Sequence, residues 1–113
     1  MECIFCAIAA HNKEAEIVFE RNEVLVIKDI HPKAPIHLLV IPKKHIASAD
    51  AICEEDRSLI AEVILVARDA AQNAGLGGYK LVLNVGREGG QIIDHLHLHV
   101  LGGWDRAPGA VAV

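Results

Sequence analysis

The sequence predicts an α+β domain: an antiparallel five-stranded sheet with one long and one short helix. Three observations carry this. One stretch alone, EEDRSLIAEVILVARDAAQNAG (54–75), keeps apolar residues at helical spacing over several turns. The other apolar runs are short and strand-like, and they do not alternate with helices as parallel β-α units do. Finally, 113 residues of which 52% are hydrophobic suffice to bury one core without disulfides. The whole chain, 1–113, reads as one domain with a C-terminal tail from about residue 104.

Each element has its own signal. CIFCAIAA (3–10) is short and apolar, one or two helical turns. The runs 16–20 (EIVFE) and 23–29 (EVLVIKD) flank Arg21 and Asn22 as a hairpin. DIHPKAPIH carries two prolines, which break helix and restrict the preceding residue, so it is a loop. HLLVIPKKH holds an almost continuous apolar run, as a central strand does. In the long helix Leu59, Ile60, Val63, Val66, Ala67 and Ala70 form the apolar face. Acidic residues lead it and Gly75 follows as a left-handed stop. YKLVLNV is another strand, GREGGQ a glycine-rich loop, and HLHLHVLGG closes the sheet.

Composition excludes several classes of function. The net charge is −4 and there is no lysine or arginine run, which argues against a nucleic-acid polymer as partner. A small phosphorylated ligand remains open, since backbone amides and imidazoles hold phosphate locally. No apolar run approaches the roughly 20 residues that span a bilayer, and the start lacks a secretory pattern. The expectation is a cytoplasmic protein without membrane contact.

DHLHLHVLGG (94–103) is the most informative stretch. Side chains alternate along a strand, so His95, His97 and His99 share one face while Leu96, Leu98 and Val100 pack inward. A merely solvated face is served better by threonine, lysine or glutamate. One ion held by all three is excluded by distance, because the outer pair lies about 13 Å apart on an extended strand and zinc–nitrogen bonds are about 2 Å. One of them alone can still bind a metal. The remaining reading is catalytic: a neutral imidazole is a nucleophile when its far nitrogen is oriented by a hydrogen bond. With the glycines of GREGGQ, where backbone can approach an anion, the row suggests phosphoryl or nucleotidyl transfer.

The three cysteines, Cys3, Cys6 and Cys53, do not form a disulfide framework. Cys53 reads as structural. Cys3 and Cys6 are a Cys-x-x-Cys pair with three readings: a redox pair, half a zinc site, or two buried thiols. No thioredoxin-like β-α-β pattern surrounds them. A structural zinc needs two further ligands, and His45 and His95 are available. His11 and His31 read as exposed loop residues.

HLHLHVLGG matches the His-φ-His-φ-His-φ-φ pattern, φ being apolar, of the histidine-triad superfamily. IFCAI, VFE, KDIHPKAPIHLLVIPKKHI and LVLNVGREGGQ follow in the order and spacing of its Hint branch, the purine nucleoside phosphoramidases. The chain resembles that branch from about Ile4 to Gly103. The resemblance implies an enzyme, a hydrolase cleaving the P–N bond of purine nucleoside 5′-phosphoramidates such as adenosine 5′-phosphoramidate or AMP-lysine. It gives His97 the attack on the α-phosphorus, His99 the phosphate and leaving group, and His37 a place in the same catalytic cluster. Asp29 would accept both ribose hydroxyls. Ile30, Phe5, Ile8 and Ile27 would line the purine pocket, and Asn84, Gln91 and the Ile92 amide would contact phosphate. The family often has serine or threonine at the position of Ile92, so rate or leaving-group chemistry is expected to differ. Several bacterial members bind zinc through residues matching Cys3, Cys6, His45 and His95. That implies a structural Zn2+ and no organic cofactor.

The resemblance also implies a homodimer whose long helix and adjacent strand pair across a two-fold, YKLVLNV extending the sheet. In the family the tail reaches toward the partner's site; here WDRAPGAVAV departs from the usual ending. Two competing readings are hydrolysis of dinucleoside polyphosphates (Ap4A-type), as in the Fhit branch, and a non-catalytic nucleotide-binding protein. VLGGW and KDIHPKAPIHLLVIPKKH favour Hint over Fhit.

Overall fold

The computed structural model describes residues 3–113. A short helix α1 (Ile4–Ala9) leads into strands β1 (Ile17–Glu20), β2 (Val24–Lys28) and β3 (Ile36–Pro42). The long helix α2 (Arg57–Asn73) follows, then β4 (Tyr79–Val82) and β5 (Leu98–Gly102). The strands form one sheet in the order β1-β2-β3-β5-β4, every neighbouring pair antiparallel. The α+β expectation holds, and β3 is the central strand.

Both faces of the sheet's middle are buried, which is why β2 and β3 read as unbroken apolar runs. Val24, Val26, Leu38, Val40, Leu98 and Val100 pack against the α2 face, joined by Leu59, Val63, Val66, Ala67 and Ala70. Leu25, Ile27, Leu39 and Ile41 point the other way and pack with Phe5 and Ile8 of α1. The α1 face is the one that carries chemistry. Three acidic residues precede α2, and buried Asp56 takes the Cys53 N–H at 2.9 Å while pairing with Lys44. Gly75 stops the helix at φ +77°.

The histidine block enters the ladder later than its alternation implies. β5 starts at Leu98, leaving His95 and His97 just outside. The cause is local: the Leu96 N–H bonds the Ile46 carbonyl at 2.7 Å, and the His95 carbonyl accepts from the His97 ring. Those groups are therefore unavailable to a strand partner. Leu96 nonetheless joins the α2-side core with Leu98 and Val100, so the predicted faces survive. At the far end of β5, Gly102 lets Leu76 close over the backbone; a Cβ there would lie 2.7 Å from Leu76 Cδ1. Among the described residues no helix is long and apolar enough to cross a membrane.

Candidate active site

β3 and β5 bring the histidines together. Their register sets His37 opposite Leu101 and Leu39 opposite His99, so His37 and His99 are same-face neighbours one step apart. His37, His97 and His99 are all buried, not on a wet strand. Their hydrogen-bond partners fix the ring tautomers. The His97 Nδ1 lies 2.7 Å from the His95 carbonyl oxygen, which can only accept, so Nδ1 carries the proton and Nε2 keeps a free lone pair. The Lys33 backbone N–H donates to His37 Nδ1 at 3.0 Å, which places the His37 proton on Nε2. That proton is donated to His99 Nδ1 at 2.8 Å, and His99 in turn holds its own proton on Nε2.

Burial keeps these rings neutral. His99 is driven down to about 4, chiefly by desolvation and then by His97 and His37. Desolvation lowers His97 and His37 too, against the pull of the Asp29 carboxylate. A neutral ring with a free nitrogen is the state that nucleophilic attack requires.

The three rings line a cavity of about 400 Å³. Phe5, Ile8 and Ile27 form its apolar floor, and Phe5 meets the His97 ring edge-on at 5.1 Å. Ile30 and Ile92 stand at its mouth, 83% and 82% exposed. Asp29 also lines it; its Oδ1 accepts from the His31 N–H at 2.8 Å and its Oδ2 lies 3.4 Å from His37 Nε2. Ile4, Leu39, Lys33, Ile93 and the exposed loop residue His31 also line the cavity, and the sequence does not single them out as site residues. Two signals were available: Ile4 shares a helical face with Ile8, and Leu39 a strand face with His37.

Asn84 and Gln91, expected beside the phosphate, are not among the residues that line this cavity, though Asn84 touches Val113, which does. Gln91 is buried and clamps the loop: Nε2 donates to the carbonyls of Ala47 (2.7 Å) and Ile93 (2.9 Å), and Oε1 accepts from Gly86 N–H (2.9 Å). Both of its amide hydrogens are already given. Asn84 Nδ2 donates to Gly89 O (2.7 Å) and Val113 O (3.1 Å), while its Oδ1 is buried without a partner. Asp94, whose role the sequence leaves open, forms a two-pronged pair with Arg87 at 2.8 and 3.0 Å.

Beside the cavity, the fold gathers Cys3, Cys6, His45 and His95 so that one ligand atom from each lies within 4.8 Å of the others. His95 Nδ1 is 3.2 Å from Cys3 Sγ, 3.5 Å from Cys6 Sγ and 3.2 Å from His45 Nδ1. A tetrahedron with bonds of about 2.0–2.1 Å to nitrogen and 2.3 Å to sulfur has edges of about 3.3–3.8 Å. The donor set fits such a cation closely. His95 Nε2–H donates to the Pro42 carbonyl at 2.7 Å, which turns its free lone pair on Nδ1 toward the thiols. Burial and the adjacent Cys3 both raise the Cys6 thiol, so the thiolate form there calls for a compensating positive charge. A second grouping, Asp29, His37 and His99, is equally compact. It does not fit a cation, because the Lys33 amide forces the His37 proton onto the nitrogen that faces the other two.

Known proteins share this fold. The family model described as the C-terminal binding region of the scavenger mRNA decapping enzyme matches residues 2–109. Protein HitA of Neisseria gonorrhoeae is 43% identical over 101 residues, 88% of this chain and 94% of its own length. The crystal structure of a HIT family hydrolase from Legionella pneumophila superposes with a TM-score of 0.91 at 44% identity, covering 96% of this chain and 98% of the other. A zinc-bound histidine triad protein from Mycobacterium smegmatis gives 0.78 at 32% identity, covering 96% and 78%. With a buried imidazole row leading into β5 and a match over nearly its full length, the chain belongs to the histidine-triad family.

Proposed function

We propose that the protein is a nucleotide hydrolase of the Hint type, cleaving the P–N bond of purine nucleoside 5′-phosphoramidates through a covalent nucleotidyl-His97 intermediate. The observation that carries this reading is the buried, neutral His97 whose Nδ1–H is committed to the His95 carbonyl, leaving Nε2 free in a ring that lines the cavity. The purine lies on the apolar floor of Phe5, Ile8 and Ile27, between Ile30 and Ile92, and Asp29 takes the ribose hydroxyls. His97 Nε2 attacks the α-phosphorus; the N–P bond forms as the P–N bond to the amine breaks. Free His99 is neutral; a phosphate anion beside it favours its protonated form, the His37 Nε2–H then turning to Asp29 Oδ2, 3.4 Å away. His99 then gives the Nε2 proton to the departing nitrogen, and the water that hydrolyses the intermediate returns one to the same ring. Asn84 and Gln91 support this from behind by shaping the loop that carries Ile92.

Cys3, Cys6, His45 and His95 would hold a structural Zn2+, which supplies charge neutralisation for two thiolates and ties the N-terminal segment to the sheet. The zinc-bound relative supports this choice of ion. A C2 homodimer through β4 and α2 suits the exposed apolar residues Leu81, Leu83, Ile64 and Leu65. A cytoplasmic setting suits free cysteines.

The test is a side-by-side assay of adenosine 5′-phosphoramidate and diadenosine polyphosphates, with metal content measured on the same preparation. Faster release of ammonia and AMP from the phosphoramidate is the expected result. Faster turnover of the dinucleotide favours the Fhit-type reading, and tight AMP binding with no turnover of either favours a non-catalytic protein.

A further inference from the structure

Helix α1 has six residues, too few to persist on local hydrogen bonds alone. Two arms hold it. One is apolar: Phe5 and Ile8 are buried against Leu25, Ile27, Leu39 and Ile41. The other is the thiol pair, Cys3 at its N-cap and Cys6 one turn on, both beside His45 and His95. Phe5 stands between those thiols in sequence and between the two sites in space. Its ring centroid is 5.8 Å from that of His95 and 5.1 Å from that of His97, edge-on to both. The same helix presents Ile4, Phe5 and Ile8 to the nucleotide cavity. His95 meets the nucleophile a second way, through the carbonyl that accepts the His97 proton.

We propose that filling the Cys3–Cys6–His45–His95 cluster preorganises the nucleotide cavity, so that a tetrahedral cation and a purine nucleotide bind with positive coupling transmitted by Phe5. The inference rests on the proposed nucleotide and metal sites and adds an energetic link between them. With the cluster filled, α1 is docked before the nucleotide arrives, and Phe5 already sits against His97. With it empty, the nucleotide must order α1 on binding, which weakens its affinity. Linkage requires the effect to be reciprocal: whatever factor the cation adds to nucleotide affinity, the nucleotide adds to cation affinity. Phe5 is thus a positioning residue, carrying information between two sites whose ligands never touch.

The experiment compares AMP dissociation constants for the Zn2+-loaded and chelator-stripped full chain, with far-UV circular dichroism confirming that the stripped form stays folded. The expected result is about tenfold tighter AMP binding when loaded, within the usual range for coupled sites. The reciprocal arm starts from the loaded protein and needs no stable stripped form: saturating AMP should raise, by the same factor, the chelator concentration that removes half the Zn2+. In Phe5→Ala both factors should fall toward one while Zn2+ still binds one per chain; Phe5→Leu should retain part of the coupling. A Phe5 that served only as cavity wall would weaken AMP equally in both metal states and leave the factor intact, which overturns the proposal. Equal AMP affinity in the two states of the wild type overturns it alone. Absence of AMP or Zn2+ binding altogether overturns it together with the site assignment on which it rests.

Discussion

The His97 Nδ1 lies 2.7 Å from the carbonyl oxygen of His95, and this one contact decides the chemistry of the ring. A carbonyl only accepts, so the proton sits on Nδ1 and the lone pair on Nε2. When Nε2 bonds phosphorus the ring becomes cationic, and the same carbonyl then faces a stronger donor. The arrangement therefore favours the intermediate over the free ring. Substituting His97→Ala should lower turnover of adenosine 5′-phosphoramidate by at least about a thousandfold. AMP affinity should change by no more than a fewfold, since the ring's neighbours still form the cavity. Steady-state kinetics with equilibrium binding on the same samples checks it; surviving hydrolysis would remove His97 as the nucleophile.

Asp29 separates ribose recognition from structure. Its Oδ1 accepts the His31 N–H, and each carboxylate oxygen still has an unused lone pair. Asp29→Asn keeps an acceptor for His31 but replaces the second oxygen with a donor. AMP binding should weaken about ten- to hundredfold, the worth of hydrogen bonds to a charged acceptor. Discrimination between AMP and 2′-deoxy-AMP should largely vanish. Equal loss for both nucleotides would assign Asp29 to the fold rather than to the sugar.

Burial of His99 makes stability depend on pH in a definite direction. Folded, the ring protonates at about 4, against 6.5 for the ordinary group. Below about 6.5 the unfolded chain takes up a proton that the native chain refuses, so stability falls as pH drops. The loss runs at about 1.4 kcal/mol per pH unit and levels off near the folded value. Lowered His37 acts in the same sense. Urea midpoints at several pH values between 7 and 4 should therefore decline, and in His99→Gln they should decline less. Both proteins are compared after chelation, so that metal release does not enter. An identical slope in the variant would show that His99 is not the group refusing the proton.

What the sequence made legible is what periodicity and local spacing encode. Alternation separated His95, His97 and His99 from Leu96, Leu98 and Val100, and that division holds even though β5 begins only at Leu98. Apolar spacing placed Leu59, Val63, Val66, Ala67 and Ala70 on the buried face of α2. Tautomers were illegible, because they are set by the Pro42 carbonyl on His95 and the Lys33 amide on His37, neither of which leaves a residue-type signature. Asn84 and Gln91 have a residue type that suits an anion, but nothing in that type foretells that their amide hydrogens go to oxygens of Gly89, Val113, Ala47 and Ile93.

Gln91 gives that distinction a measurable form. Truncation to alanine leaves the Gly86 N–H and the Ala47 and Ile93 carbonyls without their partner, and the side chain it removes is buried. Unsatisfied buried groups of this kind cost about 1–3 kcal/mol each, less where water enters. Gln91→Ala should therefore lower the unfolding free energy by about 2–4 kcal/mol, read from urea denaturation. Gln91→Glu keeps an acceptor for Gly86 but sets a carboxylate oxygen against two carbonyls, so it should be no better. Activity per folded molecule should fall less steeply than stability, because the cavity wall beside His97 is formed by other side chains. A variant of full stability with AMP affinity abolished would return Gln91 to the phosphate and move the loop-clamping role elsewhere.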